Sequence, residues 1–389
     1  MLSLFKKVAC LLMIVTLVTL VFAFTGWGKE APPIKVGVIQ PMTGTNAATA
    51  REQVTAIKIA VDDVNEQGGL LGGRKIQLII EDDHSMPSDS VSAARKLITQ
   101  DKVIAILGPF NSACAFAVRD ITNENKIPEL LVGGTTDSLV VGYPYLFRAN
   151  INNSQQSIPF VRWLISDKGY KNIAIIYENT DWGRNLYNIT KSIADELGAV
   201  FVIEEGYNPG TSDFSAVLTK VKYANPDIII LATLVTESAI ILRQARDLQI
   251  PGSKFAGWSG LSQSDLPQLA DGAEEGALFA DVWWPENPDN ATAKHLIEQL
   301  HKRYPDTPIT GFHGQGYAAA ITLIDAIKRA GTTDADKLVE AIKTTRMEGL
   351  LGDIYFDEDG QNQGILVAIR SWKNGVPVLT GELIKVKKD

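Results

Sequence analysis

The side chains best placed to do chemistry lie between Gly108 and Thr136. Two hydroxyl residues, Ser112 and Thr135, follow two short apolar segments, 103–107 and 129–132. Glycine breaks each segment, Gly108-Pro109 the first and Gly133-Gly134 the second. A helix beginning at Ser112 would present open backbone N–H groups and the positive end of its dipole, a setting that favours a carboxylate. Ser112, Gly134 and Thr135 therefore form a candidate anion-holding crevice, with Phe110 in the turn beside them. The competing reading is that Ser112 only caps the helix and Thr135 only turns the chain.

Other chemistries find less support. The histidines, His84, His295, His301 and His313, are scattered, and His295 and His301 do not share a helix face well enough for a metal pair. Ser112 has no readable His-and-acid context for a nucleophile. Gly68-Gly69-Leu70-Leu71-Gly72-Gly73 follows a helix and precedes a strand, the reverse of a phosphate loop. Gly314-Gln315-Gly316 opens a helix with no strand before it, so it is no dinucleotide fingerprint. Neither a cofactor, a metal nor an enzymatic reaction is expected.

The elements that must position the crevice come from a chain of 389 residues, 45% hydrophobic, enough for two cores. Its formal net charge of −8 and the absence of a basic block past the N-terminus argue against nucleic acid as a partner. Lys6-Lys7 precede an apolar run from Val8 to Phe24, which reads as a targeting segment. Residues 1–23 are expected to be a signal peptide, with cleavage after Ala23, or an uncleaved membrane anchor. Residues 24–33 would be a linker; Trp27 stands where a lipoprotein would carry its lipidated cysteine. Past this segment only Cys114 remains, so no intramolecular disulfide can form there, and Cys114 reads as small buried filler.

Strands are expected at 34–39, 75–80, 103–107 and 129–132, with helices at 50–65, 87–100 and from Ser112 to near Asn125 between them. That alternation implies a doubly wound parallel sheet. It restarts after Asn150 with helices at 155–168, 182–197, 214–223 and 238–248 and strands at 173–177, 200–204, 227–231 and 254–256. Helices at 292–304, 315–330 and 335–343 and strands at 349–356, 365–372 and 376–385 close the chain. The expected fold is α/β, two Rossmann-like lobes: 34–149 plus 281–357, and 150–280 plus 364–389. Crossings near 149–152, 276–281 and 357–364 would make a multi-strand hinge able to close a cleft.

Several segments carry a family likeness. They are Ile34-Lys35-Val36-Gly37-Val38 with Pro41-Met42-Thr43-Gly44, and Asp62-Asp63-Val64-Asn65-Glu66-Gln67-Gly68-Gly69 running on to Gly72-Gly73-Arg74. Asp82-Asp83, Gly108-Pro109 with Ser112, Gly169-Tyr170, Asp181-Trp182-Gly183 and Asp213-Phe214-Ser215 add to it. From about residue 34 onward the chain resembles the type I periplasmic solute-binding proteins of ABC importers, in the branch related to leucine/isoleucine/valine-binding proteins.

That resemblance implies an exported protein in the periplasm or at the outer face of the cytoplasmic membrane, a monomer that binds a small-molecule ligand and hands it to ABC permease subunits. A sensor reporting to a membrane receptor is the alternative. Ser112, Thr135 and Gly134 would hold the ligand carboxylate, and Trp182 would be an aromatic wall. The loops at 234–237 and at Trp258-Ser259 would face the cleft. The family's amino-acid binders place an acidic side chain at the position aligning with Ser259, to meet the ligand ammonium. Serine cannot supply that charge, which leaves Glu237 or Asp281 as substitutes. The ligand class stays open between an amino acid, a carboxylate without an ammonium, an amide and another small polar metabolite.

Overall fold

Branched apolar residues build two sheets. The computed structural model describes residues 31–283, 291–350, 352–380 and 384–385. The expected signal peptide or anchor and Trp27 lie outside the described residues, and 31–33 is irregular chain held by Arg74, whose Nε donates to the Pro32 carbonyl at 2.7 Å.

The first half runs β1 (Ile34–Gln40), α1 (Ala47–Glu66), β2 (Ile76–Asp82), α2 (Pro87–Lys96), β3 (Ile106–Leu107), α3 (Ser112–Glu124), β4 (Glu129–Leu131) and β5 (Leu146–Arg148). These strands form a parallel five-stranded sheet in the order β2-β1-β3-β4-β5. Helix α2 ends in a π-turn, Leu97–Asp101, inside the span read as one helix. The buried face of α1, with Val54, Ile57 and Val61, follows the helical period and packs on this sheet.

The second alternation is α4 (Asn153–Arg162), β6 (Asn172–Glu178), α5 (Asp181–Glu196), β7 (Val200–Tyr207), α6 (Ser215–Ala224), β8 (Ile228–Ala232), α7 (Val235–Asp247), β9 (Phe255–Gly257), α8 (Ser259–Ser262), α9 (Leu266–Ala270) and β10 (Leu278–Asp281). The segment 276–281, expected as a crossing, is mostly β10, because Phe279 and Ala280 are buried between β9 and a later strand.

The chain then forms α10 (Ala291–Arg303), α11 (Gly311–Ala330) and α12 (Ala335–Lys343), followed by β11 (Met347–Gly349), β12 (Gly352–Phe356), β13 (Asn362–Lys373), β14 (Val376–Leu379) and β15 (Ile384–Lys385). Helix α11 returns to α1 so closely that a Cβ on Gly316 would lie 2.2 Å from the Gln53 carbonyl. The second sheet has ten strands. Its path is β11-β12-β13-β10-β9-β8-β6-β7, with β14 and β15 paired to β13. From β7 to β10 the strands are parallel; β13 runs antiparallel to β10 and β12.

Strand β13 touches both halves. Its start pairs with β12, its later part with β10, and Gln361 just before it bridges to Arg148 of β5. Gln361 and Asn362 also donate side-chain hydrogen bonds to the Asn150 and Ala149 carbonyls, both at 3.0 Å. The expected likeness of two doubly wound α/β units is thus present, with an antiparallel extension on the second.

Candidate ligand-binding site

The carboxyl ends of the two sheets face each other across a cleft of about 460 Å³, a size suited to a small metabolite. On the first wall, the turns after β3 and β4 are pressed together. A Cβ on Gly133 would meet the Phe110 carbonyl at 2.2 Å, and the Gly134 N–H donates to that carbonyl at 2.6 Å. Gly134 itself has φ +62°, backbone that a residue with a Cβ rarely adopts.

Ser112 is the first residue of α3, and the residue before it, Asn111, occupies the cap position without a side-chain capping bond. The expectation that Ser112 caps the helix is therefore corrected. Its Oγ instead accepts the Thr136 N–H at 3.3 Å, which leaves its own O–H able to donate. With no side chain capping α3, the first-turn N–H groups stay open beside Asn111, Ser112 and Ala113 in the cleft lining. Behind them lies Arg148, fully buried, whose guanidinium donates to the Thr136 carbonyl at 2.7 Å and to Gln361 Oε1 at 2.8 Å. Burial pushes its pKa down to about 10, so it remains a cation beneath this wall at neutral pH.

The second wall is carried by β6, β8, β9 and β10 and the turns after them. Thr180 caps α5 by accepting the Gly183 N–H at 3.3 Å, and a Cβ on Gly183 would meet the Glu178 carbonyl at 2.1 Å. This tight turn delivers Trp182 into the cleft, where its Nε1 donates to Thr135 Oγ1 at 3.0 Å. Asn185, one turn on, donates to Asp137 Oδ2 at 3.2 Å and accepts the Asp137 N–H at 3.4 Å. The two walls are therefore in direct contact along one side of the cleft. Elsewhere, Ser264 donates to Glu52 of α1. Burial raises the pKa of Glu52 to about 7 despite the hydrogen bonds from Ser264 and Thr310.

Ser112, Gly134, Thr135, Phe110, Trp182, Ser259, Glu237 and Asp281 all line the cleft. Trp258 does not, and that expectation is corrected. It is 1% exposed and packs edge-to-face on Phe160 of α4 with ring centroids 6.0 Å apart. Trp258 is the residue between the end of β9 and the start of α8, and the chain turns there so that Ser259 lines the cleft while the Trp258 ring packs into the core.

Among the acids, Asp281 is already engaged: Arg370 lies 3.4 Å from its Oδ2, and Oδ1 accepts the Val282 N–H at 2.8 Å. Burial raises its pKa and the Arg370 charge opposes that. Glu237, in the first turn of α7, accepts the Gly210 N–H at 3.3 Å. The sequence reading missed Glu178, which ends β6, lines the cleft and is 6% exposed. Desolvation and the nearby Glu237 charge raise its pKa to about 7. An acid at the carboxyl end of a parallel strand that feeds a helix was the available signal.

The model of the periplasmic binding protein family matches residues 33–375. The chain belongs to that family. Within it, this periplasmic binding protein is 30% identical over 358 residues to a Leu/Ile/Val-binding protein homolog 1 of Brucella suis, covering 90% of this chain and 92% of the relative. The leucine-binding protein LivK of Thermotoga maritima superposes with a TM-score of 0.85 at 30% identity, covering 90% of this chain and 99% of the other. A solute-binding protein of an ABC transporter from Rhodopseudomonas palustris, solved with 3,4-dihydroxybenzoic acid, superposes at 0.82 with 24% identity, covering 92% and 98%; this likeness is one of fold. The chain is a type I binding protein of the leucine/isoleucine/valine-binding type, and its family consists of non-enzymatic solute-binding proteins of ABC transporters.

Proposed function

We propose that this periplasmic binding protein is the extracytoplasmic component of an ABC importer, capturing a small metabolite that bears a carboxylate or an equivalent polar end. The observation that carries the reading is the donor-rich first wall. Ser112, Thr135 and the uncapped start of α3 converge on one cleft with a buried arginine behind them. Relatives named for leucine, itself a carboxylate, support it.

In this mechanism the lobes are 34–149 plus 281–357, and 150–280 plus 364–389. Ligand enters with the lobes apart and its anionic end meets Ser112 and Thr135. The second lobe then brings Trp182 against Thr135. Only the closed state touches the ligand from both sides, so ligand shifts the population toward it. The closed monomer is what the permease subunits recognise, at the periplasmic or outer face of the cytoplasmic membrane.

A thermal-shift screen of the purified protein against amino acids, aliphatic and aromatic acids, amides and polyols tests this. A true ligand at a hundredfold excess over its Kd stabilises by about 2.7 kcal/mol. Stabilisation by polyols alone, with no carboxylate or amide active, would overturn the reading.

A further inference from the structure

We infer that Glu178, supported by Glu237, is the cation-binding group of this cleft, so that the ligand carries an ammonium as well as its anionic end. The inference rests on the capture function proposed above and names a residue for the part of the ligand that Ser259 cannot serve.

The two walls are chemically unlike. The first offers donors: hydroxyls, open N–H groups and the Arg148 charge behind them. The second offers carboxylates. Of these, Asp281 is paired with Arg370, and Glu237 holds the Gly210 N–H through one oxygen. Glu178 is 6% exposed and lines the cleft with its carboxyl open to that space, and the carboxyl accepts no hydrogen bond from another described residue. A carboxyl at the wall of a cleft with no partner in its own chain offers both oxygens as acceptors to whatever enters.

The groups facing Glu178 narrow what that something is. Glu237 approaches from α7, and the Tyr207 hydroxyl lies nearby at the end of β7, its own ionisation suppressed by burial and by both acids. On α5, Asp181 is exposed and Arg184 is held by the Asn179 carbonyl at 3.2 Å and by Asp181 at 3.5 Å. No cation in this set balances the two glutamates. An ammonium placed between them removes their mutual repulsion and supplies the missing donors. A carboxylate or a bare apolar group in the same place does neither. Burial and the Glu237 charge raise the pKa of Glu178, so a cation arriving beside it favours the ionised form and drives proton release. It follows that a zwitterion draws the walls together from both ends, whereas a simple acid engages one.

The experiment uses matched probes in which an ammonium replaces a methyl group: leucine against 2,4-dimethylpentanoate, 5-aminopentanoate against hexanoate, and 4-(aminomethyl)benzoate against 4-ethylbenzoate. Each is titrated calorimetrically into the wild-type protein and into Glu178→Gln. At least one amine is expected to bind more tightly than its methyl partner. Glu178→Gln should weaken that amine by roughly thirtyfold or more, while a methyl partner that binds is not weakened. Titration of the wild type at pH 7 in buffers of different ionisation enthalpy should also show proton release with the amine and none with the methyl compound. This readout does not depend on the variant folding. Amine affinity unchanged in a folded Glu178→Gln, or no proton release, overturns the assignment. Binding of the methyl compounds alone overturns it too, and leaves the capture function standing. If none of the six binds, the assignment falls, and the wider solute screen decides the capture function separately.

Discussion

The indole Nε1 of Trp182 and the hydroxyl of Thr135 meet at 3.0 Å across the cleft, one from each wall. The tryptophan therefore lines the cleft and links its two walls. Trp182→Phe keeps an aromatic ring and removes the donor. It is expected to weaken ligand binding by about 1 kcal/mol and to enlarge the radius of gyration of the ligand-saturated protein. Small-angle scattering with and without ligand reads the second effect, and an unchanged profile would show that the link does not matter.

Ser112 Oγ accepts one bond, from the Thr136 N–H, and its hydroxyl proton stays able to donate into the cleft, where the proposed function places the ligand. Ser112→Ala should lower affinity by roughly 1–3 kcal/mol, since a buried acceptor on the ligand loses a donor. Calorimetry decides it, and an unaltered Kd removes Ser112 from the site.

Asp281 and Arg370 form a buried pair at the end of β10. Arg370→Met strands the carboxylate, so urea unfolding should reveal a loss of about 3–5 kcal/mol. Adding Asp281→Leu to the same chain should recover most of it. A double variant as unstable as the single one would show that the pair is not the source of the loss.

Glu129 of β4 is fully buried, with Thr122 as donor to Oε2 and nothing on Oε1, and burial pushes its pKa up to about 8. The folded protein thus holds this proton more tightly than the unfolded chain, whose group titrates near 4.5. The cost of the site is absent below pH 4.5, grows as pH rises toward 8, and is complete above it. Glu129→Gln should therefore change stability little at pH 4.5 and raise the Tm relative to wild type at pH 9. An equal shift at both values would contradict the assignment.

Much of this arrangement was legible beforehand, for identifiable reasons. Isoleucine-rich runs at 173–176 and 228–231 admit little but buried strand, and Gly133 marks where its segment must touch the turn at Phe110. The cleft residues of the first wall followed from strand ends. What escaped depended on direction. Whether Trp258 or Ser259 faces the ligand turns on a single step of the chain, which composition does not encode. Glu178 was hidden because the apolar pattern of β6 stops at Tyr177, one residue before the carboxyl that matters. Arg148 escaped because a charged residue inside a short strand shows its burial only once Gln361 and Thr136 arrive from distant sequence.

Strand β13 ties the two sheets together. A single extended ribbon is stitched at its root to Ala149 and Asn150 and welded further along to β10. If the halves part as proposed, the ribbon would twist with them, since it is paired to both. In the proposed closure, Gln361 and Asn362, which hold the root of this ribbon to Asn150 and Ala149, would then share in setting what bending the frame costs.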